Sequence, residues 1–184
     1  MDQLQNIYDT KVGTPSDINE HLPTLKRYTE ECETVVEMGV RTIVSTWAFL
    51  LGNPKKLISV DYKHPSEYNS FDLPLVESIA EEKNIDYEFI LSDSRTVEIP
   101  ECDLLFIDTL HTYPQIKKEL EVHHNKVKKY LVFHDTVTFR TEGETPNEVG
   151  IWPAIEEFLL ENLNWQIHEV FQNNNGLTIL KKIN

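Results

Sequence analysis

Two runs constrain this chain more than anything else in it. DLLFID at 103–108 and KYLVFHD at 129–135 are apolar at nearly every interior position, and each closes on an aspartate. A strand wet on one face alternates polar and apolar residues, so continuous runs like these need cover on both faces. Between them lies PQIKKELEVHHNKV, a helical stretch opening at Pro114, where a missing N–H is tolerated. Strand, helix, strand with both faces buried is the grammar of a parallel sheet in a doubly wound α/β fold.

The grammar repeats upstream. TVVEM (Thr34–Met38) stops at Gly39, and WAFLL, with Ser45 or Thr46 near its start, reads as a helix. KLISVD (Lys56–Asp61), a helix over 73–84 and a strand over 86–93 follow. Ahead of these, Ser16 and Asp17 are candidate caps for a helical stretch in which Leu22, Leu25 and Tyr28 recur, while MDQLQNIYDTK reads as a partly frayed opening. The segment TEGETPNEVG, 141–150, is acidic and rich in breakers, which predicts a mobile loop over the ends of the fourth and fifth strands. After the helix IWPAIEEFLLENL, the runs WQIHEVF and LTILKKI flank Asn173, Asn174, Asn175 and Gly176, a hairpin signal that predicts an antiparallel last strand. At 184 residues the chain reads as a single domain, with 1–33 a lead-in and 34–184 the Rossmann-like core.

Charge and cysteine usage exclude several partners. The net charge of −14 opposes a polyphosphate, so nucleic acid is not expected. The longest apolar stretch, 43–52, falls far short of the roughly 20 residues a membrane span needs, and no secretion or lipidation signal is read at the start. Cys32 and Cys102 each precede an apolar run, fitting buried thiols in the reducing cytoplasm.

Chemistry concentrates at the strand ends. Glu37, Gly39, Ser45 and Thr46 surround a turn where a glycine lets the chain pass beneath a ligand and a helix start offers free N–H groups. A dinucleotide fingerprint would put glycines at 39, 41 and 44, and only Gly39 is present; a plain turn in a ligand-free protein is the competing reading. Asp61 closes the second strand 22 residues after Gly39, a spacing suited to ribose hydroxyls, and Asp93 with Ser94 closes the third near where a purine would lie; simple turn capping is the alternative for both aspartates. Asp108 and His111 follow the fourth strand, and His134 and Asp135 close the fifth. Adjacent strands lie about 4.8 Å apart, so Asp108, His134 and Asp135 are placed to bracket a divalent cation; the alternative is a turn-capping Asp135 and a His134 packed in a polar pocket. His123 and His124 read as a solvated pair, and His21, His64 and His168 as isolated, with His64 near enough to Asp61 to edge a cofactor pocket.

With VVEMGVRTIVSTW, ISVD, DLLFIDTLHTYPQIKKEL, KYLVFHDT and the closing hairpin in this order over 34–181, the chain resembles the class I S-adenosylmethionine-dependent methyltransferases. Within them it is similar to the small O-methyltransferases related to the cephalosporin hydroxylase and macrolide-sugar methyltransferase group. The resemblance implies a seven-stranded sheet with an antiparallel last strand and S-adenosylmethionine as cofactor. It makes Glu37 and Gly39 the first motif, Asp61 the ribose acid, Asp93 the acid near adenine, Asp108 the acid near the transferring methyl and Asp135 a ligand for Mg²⁺ or Mn²⁺. Where the family places further glycines this chain has Arg41 and Ile43, and Arg41 is set to face the cofactor's carboxylate. The family's amino-group methylases carry an Asp/Asn-Pro-Pro-aromatic loop, whereas here Asp108-Thr-Leu-His111 follows the strand, which favours an oxygen acceptor with His111 as base. The expected partner is a small molecule, sugar or phenol; a homo-oligomer is compatible with this reading. A non-catalytic nucleotide-binding scaffold is the alternative function.

Overall fold

Seven strands form one sheet in the computed structural model, which describes residues 2–183. They are β1 (Thr34–Met38), β2 (Lys56–Asp61), β3 (Asp86–Leu91), β4 (Cys102–Ile107), β5 (Val127–His134), β6 (Trp165–Phe171) and β7 (Leu177–Lys182), in the spatial order β3-β2-β1-β4-β5-β7-β6. β1 to β5 run parallel, and β7 inserts antiparallel between β5 and β6. Alternate residues of the central strands feed opposite cores. Val35, Leu57, Leu104 and Val132 face one side and Val36, Ile58, Leu105 and Leu131 the other. The first core is closed by α1 (Gln3–Gly13), α2 (Leu22–Thr29), α3 (Ser45–Leu51) and α4 (Leu73–Glu82), the second by α5 (Tyr113–His123) and α6 (Trp152–Glu161). The uninterrupted apolar strands are thus explained by cover on both faces, and the Asn-Gly turn by the antiparallel β6–β7 pair.

Three expectations need correction. The opening residues are a helix, α1: Asp2 accepts the Leu4 N–H at 3.3 Å, and Leu4 and Tyr8, one turn apart, are buried in the first core. Ser16 and Asp17 do not cap α2. Ser16 Oγ accepts the Asn19 N–H at 3.0 Å and starts a short 3₁₀ turn, so residues 16–21 form a strap ahead of the helix. His123 and His124 are not a solvated pair. His123 is fully buried with Nε2 2.6 Å from the Ser94 carbonyl oxygen, because the end of α5 packs under the loop after β3.

Candidate active site

The strand order reverses about β1 and β4, so a crevice opens beyond their carboxyl ends, where open α/β sheets bind ligands. Gly39 and Asp108 face each other across its floor. Gly39 has φ 90°, and a Cβ there would lie 1.9 Å from the Asp108 carbonyl oxygen, so conformation and contact both demand glycine. The following loop is clamped by Asp61. Its Oδ2 accepts the N–H groups of Val40 and Arg41 at 2.8 and 2.9 Å, and Oδ1 accepts the Lys63 N–H at 2.9 Å. A carboxylate oxygen can accept twice, which leaves Oδ1 one accepting position. At 41 and 43, where the resemblance places glycines, Arg41 (φ 44°) and Ile43 (φ 57°) adopt the left-handed backbone that glycines take without strain. Ile43 sinks into the core, whereas the Arg41 guanidinium stays half-exposed and pairs with Asp17 of the strap at 2.9 Å.

Ser45 and Thr46 do not face the crevice with their hydroxyls. Both donate to the Glu37 carboxyl, as does Ser59, the last two at 2.8 Å. Burial pushes Glu37 up to about 7, against the pull of the three hydroxyls, so this group supports the loop from below. Asp93 is taken up by Arg95, whose Nη2 donates to Oδ2 at 2.6 Å and whose backbone N–H donates to Oδ1 at 2.9 Å. It caps its own turn. The Ser94 hydroxyl donates at 2.5 Å to buried Glu119, which also accepts from Thr109 at 3.0 Å, so Ser94 ties the loop after β3 to the residue following Asp108.

The loops after β4 and β5 build the most polar cluster. His111 Nε2 lies 3.1 Å from both Asp108 Oδ1 and Asp135 Oδ2, its Nδ1 lies 3.0 Å from Glu144 Oε2, and its ring stacks on Phe139 at 4.9 Å. Asp135 reaches inward from a left-handed backbone, φ 58°. Asp108, His111 and Asp135 each offer a ligand atom, all within 4.8 Å of one another. His134 stands behind them, Nδ1 3.3 Å from Asp108 and Nε2 3.2 Å from the Asn174 carbonyl oxygen. A carbonyl only accepts, so Nε2 carries a hydrogen, and Nδ1 donates to the carboxylates. Burial would lower His134, but Asp108 and Asp135 raise it to about 10. Of the expected metal set, Asp108 and Asp135 lie in this cluster together with His111, whereas His134 stands behind it with one ring nitrogen toward the carboxylates and the other on the Asn174 carbonyl. Burial lowers the pKa of His111, yet Asp108, Asp135 and Glu144 together hold it above the ordinary histidine value. Burial likewise works against ionised Asp108, and the two histidines outweigh it, keeping that carboxyl below the usual range.

Sequence reasoning missed Asp17, Tyr62, Phe139 and Glu144. An aromatic directly after a strand-closing aspartate is the one usable signal, pointing to Tyr62, which is 67% exposed. Nothing in TEGETPNEVG distinguishes Glu144 from its acidic neighbours. Among the described residues no helix is long and apolar enough to cross a membrane.

No protein-family model and no curated protein matches the sequence. Solved structures match the fold. A candidate caffeoyl-CoA O-methyltransferase from Staphylococcus aureus superposes with a TM-score of 0.69 at 12% identity, covering 99% of this chain and 93% of that one. An O-methyltransferase from Bacillus cereus in complex with S-adenosylhomocysteine gives 0.62 at 12% identity, covering 97% and 90%. The S-adenosylhomocysteine-bound methyltransferase of Podospora anserina gives 0.60 at 11%, covering 100% and 89%. With its seven-stranded sheet and antiparallel β7, the chain has the Rossmann-like methyltransferase fold that the resemblance implies.

Proposed function

We propose that this chain is an S-adenosylmethionine-dependent O-methyltransferase acting on a hydroxyl of a small molecule or sugar. The observation that carries the reading is the Asp108–His111–Asp135 cluster, set directly beyond the Gly39 turn on a sheet of methyltransferase topology. The crevice suits the cofactor: Asp61 Oδ1 keeps an accepting position for a ribose hydroxyl, and the exposed Tyr62 ring offers a face for the purine. When bound, the sulfonium supplies an electrophilic methyl group.

The cluster also suits a divalent ion, held by Asp108, His111 and Asp135. Two carboxylates and an imidazole favour Mn²⁺ or Fe²⁺ over Mg²⁺, and the chemistry such an ion supplies is a lowered pKa at the acceptor hydroxyl. The chain's own groups prepare the rest. His134 helps to keep Asp108 ionised, and Phe139 fixes the plane of the His111 ring. Glu144 accepts from Nδ1 of His111, which leaves Nε2 facing Asp108 and Asp135: with an ion bound it would be the ligand nitrogen, and without one it is, once deprotonated, the nitrogen placed to take the acceptor's proton. Because its neighbours favour the charged imidazole, activity should rise with pH beyond the ordinary histidine range.

Parallel calorimetric titrations with S-adenosylhomocysteine and NAD, followed by turnover assays on candidate hydroxyl acceptors with and without chelator, test the reading. Binding of S-adenosylhomocysteine and loss of at least about a hundredfold in turnover for His111→Ala are expected. NAD binding alone would reject the proposal, and binding of neither would favour the scaffold. Full activity in chelator would remove the ion while leaving His111 and the cofactor in place.

A further inference from the structure

Resting on the methyltransferase reading, we infer that Asp17 is a built-in surrogate for the cofactor's amino-acid carboxylate, holding the Arg41 guanidinium until the ligand takes its place. The crevice between the strap and the Gly39 loop is lined by residues 16–18, by residues 39–42, 44 and 45 of the loop, and by Asp108. Arg41 is the cation of that lining, and Asp17 and Asp108 are its acids. An incoming zwitterionic nucleoside thus finds one guanidinium suited to its carboxylate, and that guanidinium already carries a carboxylate at 2.9 Å.

The local structure fixes both partners at the root and leaves their tips free. Arg41 is pinned by its own N–H to Asp61, and it keeps a left-handed backbone that a glycine would adopt without strain. Half-exposed over the crevice, the side chain adds nothing to the core, and its guanidinium is what it brings to the site. The strap is fastened through its backbone. The side-chain amides of Asn174 and Asn175 donate to the carbonyl oxygens of Ser16 and Asp17 at 2.9 and 3.1 Å, and Asn174 Oδ1 accepts the Glu20 N–H at 3.0 Å. None of these bonds uses the Asp17 carboxylate, so it can release Arg41 without undocking the strap. With the Arg41 and Asp17 side chains 60% and 44% exposed, the pair is worth at most about fivefold in an equilibrium, small enough for a ligand to displace.

Titration of the full chain with S-adenosylhomocysteine and with 5′-methylthioadenosine, which has the same nucleoside and sulfur but no amino-acid end, reads this directly. The parent should prefer S-adenosylhomocysteine, and Arg41→Ala should weaken that ligand by about tenfold or more while leaving methylthioadenosine unchanged. Asp17→Asn should tighten S-adenosylhomocysteine by roughly three- to fivefold, leave methylthioadenosine unchanged, and have no effect once Arg41 is alanine. An Asp17→Asn chain that binds S-adenosylhomocysteine no tighter, or more weakly, would overturn the inference, as would a gain that persists in the double variant. If the parent binds neither nucleoside, the methyltransferase reading itself fails.

Discussion

Glu37 lies one residue before the end of β1, beneath the crevice, and is wholly enclosed, with three hydroxyls as its partners. Its carboxyl is raised from 4.5 to about 7, so the folded state favours the protonated form. The stability this contributes is complete below about pH 4.5 and is lost as pH rises to and through about 7, on the order of 3 kcal/mol in all. Glu37→Gln keeps the shape and removes the titration. Urea midpoints should therefore fall between pH 5 and 8 in the parent more than in the variant, and parallel profiles would show that Glu37 stays ionised. At this scale the aspartates were legible because strand periodicity fixes where a strand stops and hence which residue stands at its rim. The partners of the histidines were not. Which nitrogen of His134 faces the carboxylates is set by the Asn174 carbonyl, 40 residues away, and the orientation of His111 by Glu144, 33 residues away.

Strand ends meet in register, and register sets the element-scale constraint. β1 pairs with β4 from Val35↔Leu104 to Met38↔Ile107, which brings Gly39 against Asp108. Gly39→Ala puts a methyl group into the Asp108 carbonyl on a backbone with φ 90°, and it should cost about 3 kcal/mol or more. Chemical denaturation would measure the loss, and a change below about 1 kcal/mol would mean that the two strand ends are not held together. Strands and hairpin could be read from the sequence because buried parallel strands and Asn-Gly turns have strong local signatures. α1 could not: it buries only Leu4 and Tyr8 fully, a thin stripe in a polar segment. Ser45 and Thr46 stand out in the sequence because a helix start offers free N–H groups to a ligand. That their hydroxyls go to a buried carboxyl on β1 is a pairing no local pattern announces.

Across the whole molecule, the turn at 173–176 joins parts of the chain that are remote in sequence. Asn174 alone accepts from Glu20, donates to Ser16 and offers its carbonyl to His21 and His134. Asn174→Ala removes both side-chain bonds at a left-handed position, φ 44°, and should cost about 2–3 kcal/mol. Amide exchange should accelerate across 16–21 while β1 and β2 stay protected; unchanged protection of the strap would mean that other contacts hold it. The bonds from this turn to the strap span 152 to 158 residues, among the longest separations in the described residues, and closure over such a distance is entropically slow to win. The five parallel strands can pair without them. Until β7 has added to β5, residues 16–21 have no turn to fasten onto, so during folding the cover of the crevice arrives with the final hairpin, and a chain stalled before that step carries the floor of the site without its roof.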